Sequence, residues 1–543
     1  MDNGIHSPPP PANEPVGRYA PGSAERQGLK ASLQAMLREE IEIPAIIGGR
    51  EVRTGASGTV VCPHAHGHRL ATYERCAAAE VGQAIAAARA AWPAWAAMPW
   101  TQRAAIFLRA ADLLAGPRRA TLNAATMLGQ SKTVHEAEID AACELIDFWR
   151  FNAHYLARIY AEQPGSARGV WNVADYRPLE GFVLAVTPFN FTSIGGNLPT
   201  APVLAGNTVL WKPASTSVLS NYHIMRLLEE AGLPPGVVNF LPGSGPDVGE
   251  PALQSPELAG IHFTGSTDTF QHLWRVMSDR IASYHTYPRI VGETGGKNFV
   301  FAHPSASVPE LVTALVRGAF EYQGQKCSAA SRAYLPVSLW PAVRTALEEM
   351  LGQVAMGAPT DFRNFMAAVI DEASFQRIVG YIDRARASNG HEIVSGGGSD
   401  RAEGWFVEPT VVRTDDPSSP LMTEEIFGPV LTLFVYDDDR VAETAELADR
   451  TSPYGLTGAI FANDRRALVE LARVFRFTAG NLYLNDKPTG AVVGQQPFGG
   501  ARASGTNDKA GSPLNLLRWV SQRVIKENFV PPTDFRYPFM GEE

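Results

Sequence analysis

The spacing of apolar residues divides the chain into a helical part and a part in which strands and helices alternate. From about residue 77 to 156, as in segments 80–92 and 101–114, apolar side chains recur every three to four residues, which predicts amphipathic helices. From residue 181 onward, short apolar runs separated by amphipathic stretches such as 220–230 predict buried strands at 182–187, 208–212, 237–241 and 260–264. This alternation is typical of a parallel α/β sheet.

A second α/β pattern begins near Glu293 and continues to about residue 484. The tail at 516–526 has the pattern of a strand, and we expect it to pair outside its own domain. With 543 residues, the chain is too long for one hydrophobic core, so two or three domains are expected.

Composition and charge exclude several classes of partner. The formal net charge of -9 argues against nucleic acid or an anionic membrane surface, and no apolar run approaches the ~18 residues of a membrane span. Residues 1–23 are rich in proline and polar residues and resemble neither a secretory signal nor a transit peptide. The cysteines show no paired spacing, which favours a reducing compartment; they are Cys62, Cys76, Cys143 and Cys327. We therefore expect a cytoplasmic protein, or a matrix protein if the source has mitochondria.

Cys327 is the strongest candidate for chemistry. It follows Gly324 and Lys326, and a helical pattern at 311–322 places it just beyond a helix end. Because an ordinary thiol is mostly protonated at neutral pH, we expect the neighbouring lysine to favour the thiolate. The alternative for a cysteine without further context is a small buried apolar side chain.

Other candidates follow the predicted strands. Asn190 offers an amide donor where a carbonyl oxygen gains negative charge, and Lys212 follows another strand. Segment 263–269 predicts a strand, a glycine turn and a helix whose first N–H groups can face a phosphate. Alone, these segments are also compatible with a simple turn, a solvated strand end and a weak glycine motif.

Two carboxylates and a group of histidines complete the candidates. Glu293, at an expected strand start beside glycines, can act as a general base, and Glu425 precedes a Gly-Pro turn. Three histidines alternate within 62–68, but proline and glycine interrupt them and no second ligand pair lies nearby. We therefore predict no metal site.

Taken in order, the segments PFNF, KPA, FTGS, GETGGKN, GQKCS and EEIFGPV resemble the aldehyde dehydrogenase superfamily over residues 43–530. Segments 181–191 and 494–507 resemble its branch that oxidises L-glutamate γ-semialdehyde. The resemblance implies an α/β aldehyde dehydrogenase fold with a Rossmann-like NAD-binding domain, an α/β catalytic domain and a β oligomerisation arm. The implied boundaries are an extended or disordered lead-in at 1–30, the NAD-binding domain at 31–164 and 180–291, the catalytic domain at 292–484, and the substrate anchor loop and oligomerisation arm at 165–179 and 485–543.

The same resemblance assigns roles to individual residues. Cys327 is the nucleophile, Glu293 activates water, and Asn190 forms the oxyanion hole with the backbone N–H of Cys327. The residues implied for NAD are Thr187, Lys212, Gly265, Ser266, Thr267, Asp268, Thr269 and Glu425. Those implied for the substrate are Ser328, Gly490 and Ala491 at its carboxylate and Phe191 and Phe498 along its aliphatic part. A small-molecule substrate and a homodimer or higher homo-oligomer are also implied.

Several alternatives stay open at the level of sequence. Many NAD-selective relatives carry glutamate where this chain has Ser215, which leaves the use of NADP open. A succinate semialdehyde dehydrogenase, a CoA-acylating enzyme and a catalytically silent structural homologue are further alternatives. A thiol hydrolase is disfavoured, because no histidine lies near Cys327 in the sequence.

Overall fold

A computed structural model describes residue 4 and residues 6–542. Residues 1–3 and 5 of the predicted lead-in therefore lie outside the described residues. Residues 6–23 contain neither helix nor strand, and the first helix begins at Ala24, with the side chain of Ser23 capping its N-terminus.

Helices occur throughout the described part. They are α1 (Ala24–Arg38), α2 (Ala78–Ala97), α3 (Trp100–Ala115), α4 (Arg119–Gln130), α5 (Val134–Ala137), α6 (Leu145–Ala161), α7 (Thr192–Leu204), α8 (Val218–Ala231), α9 (Gly245–Gln254), α10 (Thr267–Asp279), α11 (Val308–Phe320), α12 (Trp340–Leu351), α13 (Glu372–Ala387), α14 (Pro420–Thr423), α15 (Val441–Arg450), α16 (Arg465–Val474) and α17 (Pro513–Leu517). A π-helix, Glu138–Glu144, joins α5 to α6. Short 3-10 turns lie at Ser215–Ser217, Ile281–Ser283, Glu321–Gly324, Asp438–Arg440, Phe475–Phe477 and Pro538–Met540.

The strands are mostly short and buried. They are β1 (Ile41–Ile43), β2 (Ala45–Ile47), β3 (Arg50–Val52), β4 (Ser57–Cys62), β5 (Ala65–Glu74), β6 (Val170–Pro178), β7 (Phe182–Val186), β8 (Thr208–Lys212), β9 (Val238–Phe240), β10 (Leu258–Thr264), β11 (Arg289–Glu293), β12 (Phe299–Ala302), β13 (Arg332–Pro336), β14 (His391–Ser395), β15 (Ser399–Asp400), β16 (Phe406–Val407), β17 (Thr410–Thr414), β18 (Val430–Tyr436), β19 (Tyr454–Gly455), β20 (Thr457–Phe461), β21 (Asn481–Leu484), β22 (Ala501–Arg502) and β23 (Val520–Asn528).

The first large sheet confirms the predicted parallel strands. Its order is β11-β10-β7-β8-β9-β2-β3, and the pairs from β11 to β9 are parallel. Apolar clusters cover both faces, one including side chains of α3, α4, α6 and α8 and the other side chains of α2, α9 and α10. Burial on both faces explains why these strands have continuous apolar sequences.

The second large sheet has the order β14-β17-β18-β13-β12-β20-β21 and is parallel except at the edge strand β14. The segment that contains Cys327 lies between α11 and β13, so it leads directly into this sheet.

A separate two-stranded ribbon joins distant parts of the chain. β6 and β23 pair antiparallel along their whole lengths, from Val520 opposite Pro178 to Asn528 opposite Val170. The tail strand was predicted to begin at residue 516 but begins at Val520, four residues later. The reason is the short helix α17, capped by Ser512, which covers the start of the predicted range. No helix of the described residues combines the length and apolarity needed to cross a membrane.

Candidate active site

The carboxyl ends of four parallel strands bring the predicted cofactor residues to one edge of the first sheet. Val186 pairs with Lys212, Phe263 pairs with Val186, and Thr264 pairs with Glu293. In open α/β sheets, ligands bind in the crevice outside these strand ends. Glu293 is the last residue of β11, so the expectation that a strand starts there is wrong. It pairs with Thr264 of β10 and therefore belongs to the first sheet.

The turn after β10 leads directly into the N-terminus of α10. The Ser266 hydroxyl oxygen accepts a hydrogen bond from the Thr269 N–H at 3.3 Å and so caps the helix. Gly265 donates its N–H to the Glu293 carbonyl at 3.2 Å. Thr267, Asp268 and Thr269 form the first turn, where unpaired backbone N–H groups suit a pyrophosphate.

Two further polar side chains flank this edge. Burial lowers the pKa of Lys212 to about 8, and no ion pair of this lysine is found among residues 6–542. Burial raises the pKa of Glu425 to about 7, although its Oε1 accepts a hydrogen bond from the Gly296 N–H at 2.7 Å. A buried ammonium needs hydrogen-bond acceptors, and ribose hydroxyls can supply them. Together with the α10 N-terminus and the close contact between Thr187 and β8, these groups fit a dinucleotide.

A strained turn presents the candidate nucleophile. After α11 ends at Phe320, three successive residues adopt left-handed backbone angles: Tyr322 with φ 52°, Gln323 with φ 55° and Gly324 with φ 66°. A side chain at Gly324 would collide with the Gly428 carbonyl, so only glycine fits. Cys327 follows this turn, which confirms its expected place beyond a helix end.

Hydrogen bonds from a buried side chain offset the strain of this turn. The Gln323 amide donates to the carbonyls of Ser131 at 3.1 Å and Ala368 at 2.8 Å. Its oxygen accepts from the Ala367 N–H at 3.0 Å. Since each left-handed non-glycine residue costs about 1–2 kcal/mol, such contacts are needed to keep the turn in one conformation.

The expected role of Lys326 is wrong. Its ammonium lies 2.8 Å from Glu136 Oε2 and 3.1 Å from Glu321 Oε2, and all three side chains are buried. Lys487 also reaches Glu321, at 2.6 Å. Because two carboxylates neutralise its charge, Lys326 cannot favour a thiolate at Cys327.

The surroundings of Cys327 instead favour the thiol. Burial, followed by the negative charges of Glu425, Glu293 and Glu144, raises the pKa of Cys327 to about 12. Cys327 is nevertheless partly accessible, whereas the other cysteines are buried. To act as a nucleophile, Cys327 would therefore have to lose its proton to a base as it attacks.

The Lys326 ion pairs predict a large effect on stability. Lys326→Met would leave Glu136 and Glu321 with less compensation in the interior, and breaking a buried pair costs about 3–5 kcal/mol. We expect a loss of this size in the free energy of unfolding measured by urea denaturation. The control Lys30→Met, at an exposed position of α1, should change it little. A loss below about 1 kcal/mol for Lys326→Met would contradict the importance of these ion pairs.

Asn190 lies beside the nucleophile turn. Its buried Nδ2 donates to the Gln325 carbonyl at 3.0 Å, and Gln325 is two residues before Cys327. An amide nitrogen carries two N–H groups, so one remains for a developing oxyanion.

Glu293 is a carboxyl group with an unusually high affinity for a proton. Burial raises its pKa well above the ordinary value, and Asp508 adds to this effect. Opposing this, its Oε2 accepts a hydrogen bond from the Gly500 N–H at 2.9 Å. Once deprotonated, such a carboxylate is a stronger base than an exposed one.

The predicted substrate loop touches the residue that follows the nucleophile. Ser328 and Thr489 share a hydrogen bond of 2.8 Å between their hydroxyl groups. Thr489 precedes Gly490, whose φ of 93° suits glycine, and Ala491. The structure therefore brings Ser328 and the anchor loop together, as the resemblance implied.

The two phenylalanines predicted to line the aliphatic part of the substrate are held by different contacts. The Phe191 ring lies 4.1 Å from the Lys132 ammonium, and Lys132 is paired with Asp140 at 2.8 Å in the interior. Phe498 exchanges backbone hydrogen bonds of 3.0 and 2.8 Å with Ala510, which fixes the end of the anchor loop.

One carboxyl group near Cys327, that of Glu144, escaped the sequence analysis. Glu144 ends the π-helix, its Oε2 accepts from Ser193 Oγ at 2.9 Å, and its charge acts on Cys327. Burial and the nearby charge of Asp140 raise the pKa of Glu144 to about 8. Its sequence neighbours have only a helical pattern, so no signal marked it.

The histidine segment at 62–68 is occupied by other contacts. His64 Nδ1 lies 3.0 Å from Ser131 Oγ, and the His66 ring stacks on Trp405 at 4.5 Å. In the part of the chain that the structure describes, no group of three or more His, Cys, Asp or Glu side chains is arranged to hold a metal ion.

The fold and this arrangement of side chains define a class of enzyme, and the sequence agrees. Residues 52–525 match the aldehyde dehydrogenase family, and the chain belongs to that family.

More specific similarities are found among individual relatives and solved structures. The chain is 52% identical over 536 residues to delta-1-pyrroline-5-carboxylate dehydrogenase, mitochondrial, of Dictyostelium discoideum, covering 98% of this chain and 96% of the relative. It is 50% identical over 530 residues to the protein of that name from Homo sapiens, covering 97% and 94%. A crystal structure of the delta-pyrroline-5-carboxylate dehydrogenase from Mycobacterium tuberculosis bound with NAD matches with a TM-score of 0.97 and 54% identity, and all of both chains is covered.

Proposed function

We propose that this protein oxidises L-glutamate γ-semialdehyde, which is in equilibrium with 1-pyrroline-5-carboxylate, to L-glutamate with NAD, the second step of proline degradation. The observation that carries the proposal is the 2.8 Å contact between Ser328 and Thr489, because it links the residue after Cys327 to the loop to which we assign the substrate carboxylate. An aldehyde with a carboxylate at its far end fits this arrangement.

In the proposed reaction, the Cys327 Sγ attacks the aldehyde carbon and its proton passes to a neighbouring base, for which Glu293 is the candidate. The resulting thiohemiacetal carries an oxyanion that the Asn190 amide and the Cys327 N–H stabilise. Losing one such donor typically costs ~2.7–4 kcal/mol.

NAD, when bound, supplies the acceptor for the hydride that converts the thiohemiacetal to a thioester. We assign Lys212 and Glu425 to its riboses and Thr187, Gly265 and the first turn of α10 to its pyrophosphate region. Glu293 releases the proton of the thiol to solvent and then takes a proton from water, which attacks the thioester carbon and releases the acid and the Cys327 thiolate. This covalent route divides the oxidation into two feasible steps.

Substrate recognition uses both charged groups of the amino acid. We assign the substrate carboxylate to Ser328 and the backbone N–H groups of Gly490 and Ala491. The Glu144 carboxylate, partly exposed and near Cys327, is assigned to the ammonium group. Phe191 and Phe498 are assigned to the aliphatic chain between these ends.

Glu144→Gln should weaken substrate binding while stabilising the fold at high pH. The KM for the semialdehyde is expected to rise about tenfold, because an ion pair with the ammonium is lost. Since the folded-state pKa of about 8 exceeds the ordinary value, Glu144 favours folding below its unfolded pKa and loses this contribution as pH rises through 8. The variant should therefore have a higher free energy of unfolding than the wild type at pH 9, and this difference should shrink as the pH falls below 8.

The control for this prediction is Glu310→Gln, an exposed residue of α11. It should change neither the KM nor the dependence of stability on pH. An unaltered KM in Glu144→Gln would exclude the assigned ammonium contact.

The proposed function is tested by steady-state NADH formation with L-glutamate γ-semialdehyde and with succinate semialdehyde. We expect kcat/KM to favour the former, with L-glutamate as the product whether or not CoA is present. Preference for succinate semialdehyde, or a CoA thioester as product, would contradict the proposal. Replacing NAD by NADP in the same assay tests whether the enzyme, which has Ser215 where many NAD-selective relatives have glutamate, also uses NADP.

We further propose that the β6–β23 ribbon joins two copies of the chain. Its apolar side chains are exposed in the single chain, with Trp171 at 57% and Val524 at 65%. Exposed apolar strands of this kind favour association. We also propose the domain boundaries that the resemblance implies. The proposed location is the cytoplasm, or the mitochondrial matrix in a eukaryote.

A further inference from the structure

The segment before α1 is fastened to the active-site helices although it has no regular structure. The Glu14 N–H donates to Asp147 Oδ1 at 2.7 Å, the Gly17 N–H to Glu138 Oε1 at 2.7 Å, and the Tyr19 hydroxyl to Glu138 Oε2 at 2.7 Å. Glu138 and Asp147 are buried, and such carboxylates need hydrogen-bond donors. These contacts fix the segment along the π-helix and the start of α6.

The Glu14 side chain adds a second attachment. Its carboxylate lies between Arg119, at 2.6 Å, and Arg150, at 2.7 Å. Since both arginines are mostly buried, these ion pairs hold the backbone of the segment in one position. The neighbouring residue, Asn13, is therefore placed with little freedom.

Asn13 joins helix α6 to the anchor loop. Its Nδ2 donates to Asp147 Oδ2 and to the Val493 carbonyl, both at 2.8 Å. Its Oδ1 accepts from Gln495 Nε2 at 2.9 Å. One side chain thus contacts both the helix that follows Glu144 and the loop that follows Ala491.

The part of the loop that Asn13 contacts is a compact turn. The N–H groups of Gln495 and Gln496 both donate to the Val492 carbonyl at 3.0 Å, and Gln496 Oε1 accepts from the Val492 N–H at 3.0 Å. Gly494 has a φ of 82° and is pressed against Phe151 of α6, where a side chain would clash. Displacing this turn would therefore also move the adjoining backbone of residues 490 and 491.

We propose that Asn13 is a positioning residue for substrate recognition: through Val493 and Gln495, it holds the Gly490 and Ala491 N–H groups at the place where they meet the substrate carboxylate. This inference rests on the proposed function, because it uses the assignment of the anchor loop to that carboxylate. Asn13 itself does not touch the substrate.

Asn13→Ala tests the proposal, with Val16→Ala as the control in the same segment, since Val16 is 48% exposed. We expect the KM for L-glutamate γ-semialdehyde to rise about tenfold in Asn13→Ala with kcat and the KM for NAD nearly unchanged. The control should match the wild type. Equal increases in both KM values would indicate general loosening of the fold and overturn the proposal.

Hydrogen exchange separates a failure of this inference from a failure of the proposed function. Amides of residues 489–496 should exchange faster in Asn13→Ala than in the wild type and Val16→Ala. If the wild type does not oxidise the semialdehyde, the proposed function fails, while faster exchange still supports the pinning of the loop. If the wild type does oxidise the semialdehyde, but Asn13→Ala changes neither the exchange of these amides nor the KM, only the role of Asn13 is refuted.

A double-mutant cycle tests the route through the loop. If Asn13 acts partly through Gln495, the two substitutions should not raise the KM independently. The KM of Asn13→Ala/Gln495→Ala should then be lower than the value obtained by multiplying the increases of the two single variants. Fully multiplicative effects would exclude Gln495 from this route.

Discussion

Cys327→Ser should lower NADH formation by roughly 10⁴-fold or more while the protein remains folded, because a serine hydroxyl in this environment lacks the nucleophilicity of a thiolate. The surroundings make the effect severe. The same carboxylates that raise the pKa of the thiol would also oppose ionisation of a hydroxyl, whose intrinsic pKa is already far higher than that of a thiol. Stopped-flow and steady-state absorbance measurements of NADH check the result.

The matched control for this substitution is Cys76→Ser. Cys76 is buried in the apolar cluster beside β2, away from the nucleophile turn, and should retain turnover. Full NADH production by Cys327→Ser would rule out the covalent mechanism. A loss of circular dichroism in both variants would indicate unfolding, and activity would then be compared at a lower temperature.

Glu293→Gln should separate the two halves of the reaction. We expect a first equivalent of NADH per active site, followed by turnover that is slower by ~10²–10⁴-fold, because hydrolysis lacks its base. If Glu293 also takes the thiol proton, the first equivalent should form more slowly as well. Rapid-mixing kinetics distinguish these steps, and Glu310→Gln serves as the control.

The pH dependence of the same step gives an independent check. Because the pKa of Glu293 lies well above the ordinary value, the wild-type rate of hydrolysis should increase with pH as this carboxyl ionises. The residual rate in Glu293→Gln should lose that increase. An identical pH profile in the two proteins would exclude Glu293 as the base.

Sequence predicted the parts of the site that depend on strand ends. Lys212 and Asn190 stand at or after apolar runs that are buried on both faces, so their strands were recognisable from the sequence. Cys327 was likewise predictable as the residue after a helix. Its partners were identified through the family resemblance rather than through spacing.

The charges around the nucleophile could not be predicted, because they come from distant parts of the chain. Lys326 is adjacent to Cys327 in sequence, which suggested that its charge would favour the thiolate. In the fold, however, Glu136 of α5 pairs with Lys326 and neutralises that charge. Glu144 lies in a helical pattern that carries no sign of its proximity to the thiol. Local sequence cannot report such long-range electrostatic contacts.

The N-terminal segment shows the same limit. Its prolines and polar residues suggested an extended or disordered lead-in, and it does lack helix and strand from residue 6 to 23. Its attachment depends on Asp147 and Glu138, whose need for donors arises only after α6 and the π-helix are buried. Composition alone contains no information about those acceptors.

The most direct test of the account is mass spectrometry of Glu293→Gln mixed with NAD and L-glutamate γ-semialdehyde and quenched in acid. We predict that the peptide containing Cys327 gains the mass of a γ-glutamyl group in a thioester, in proportion to the NADH formed. An unmodified Cys327 alongside NADH formation, or the acyl group on another residue, would contradict the account.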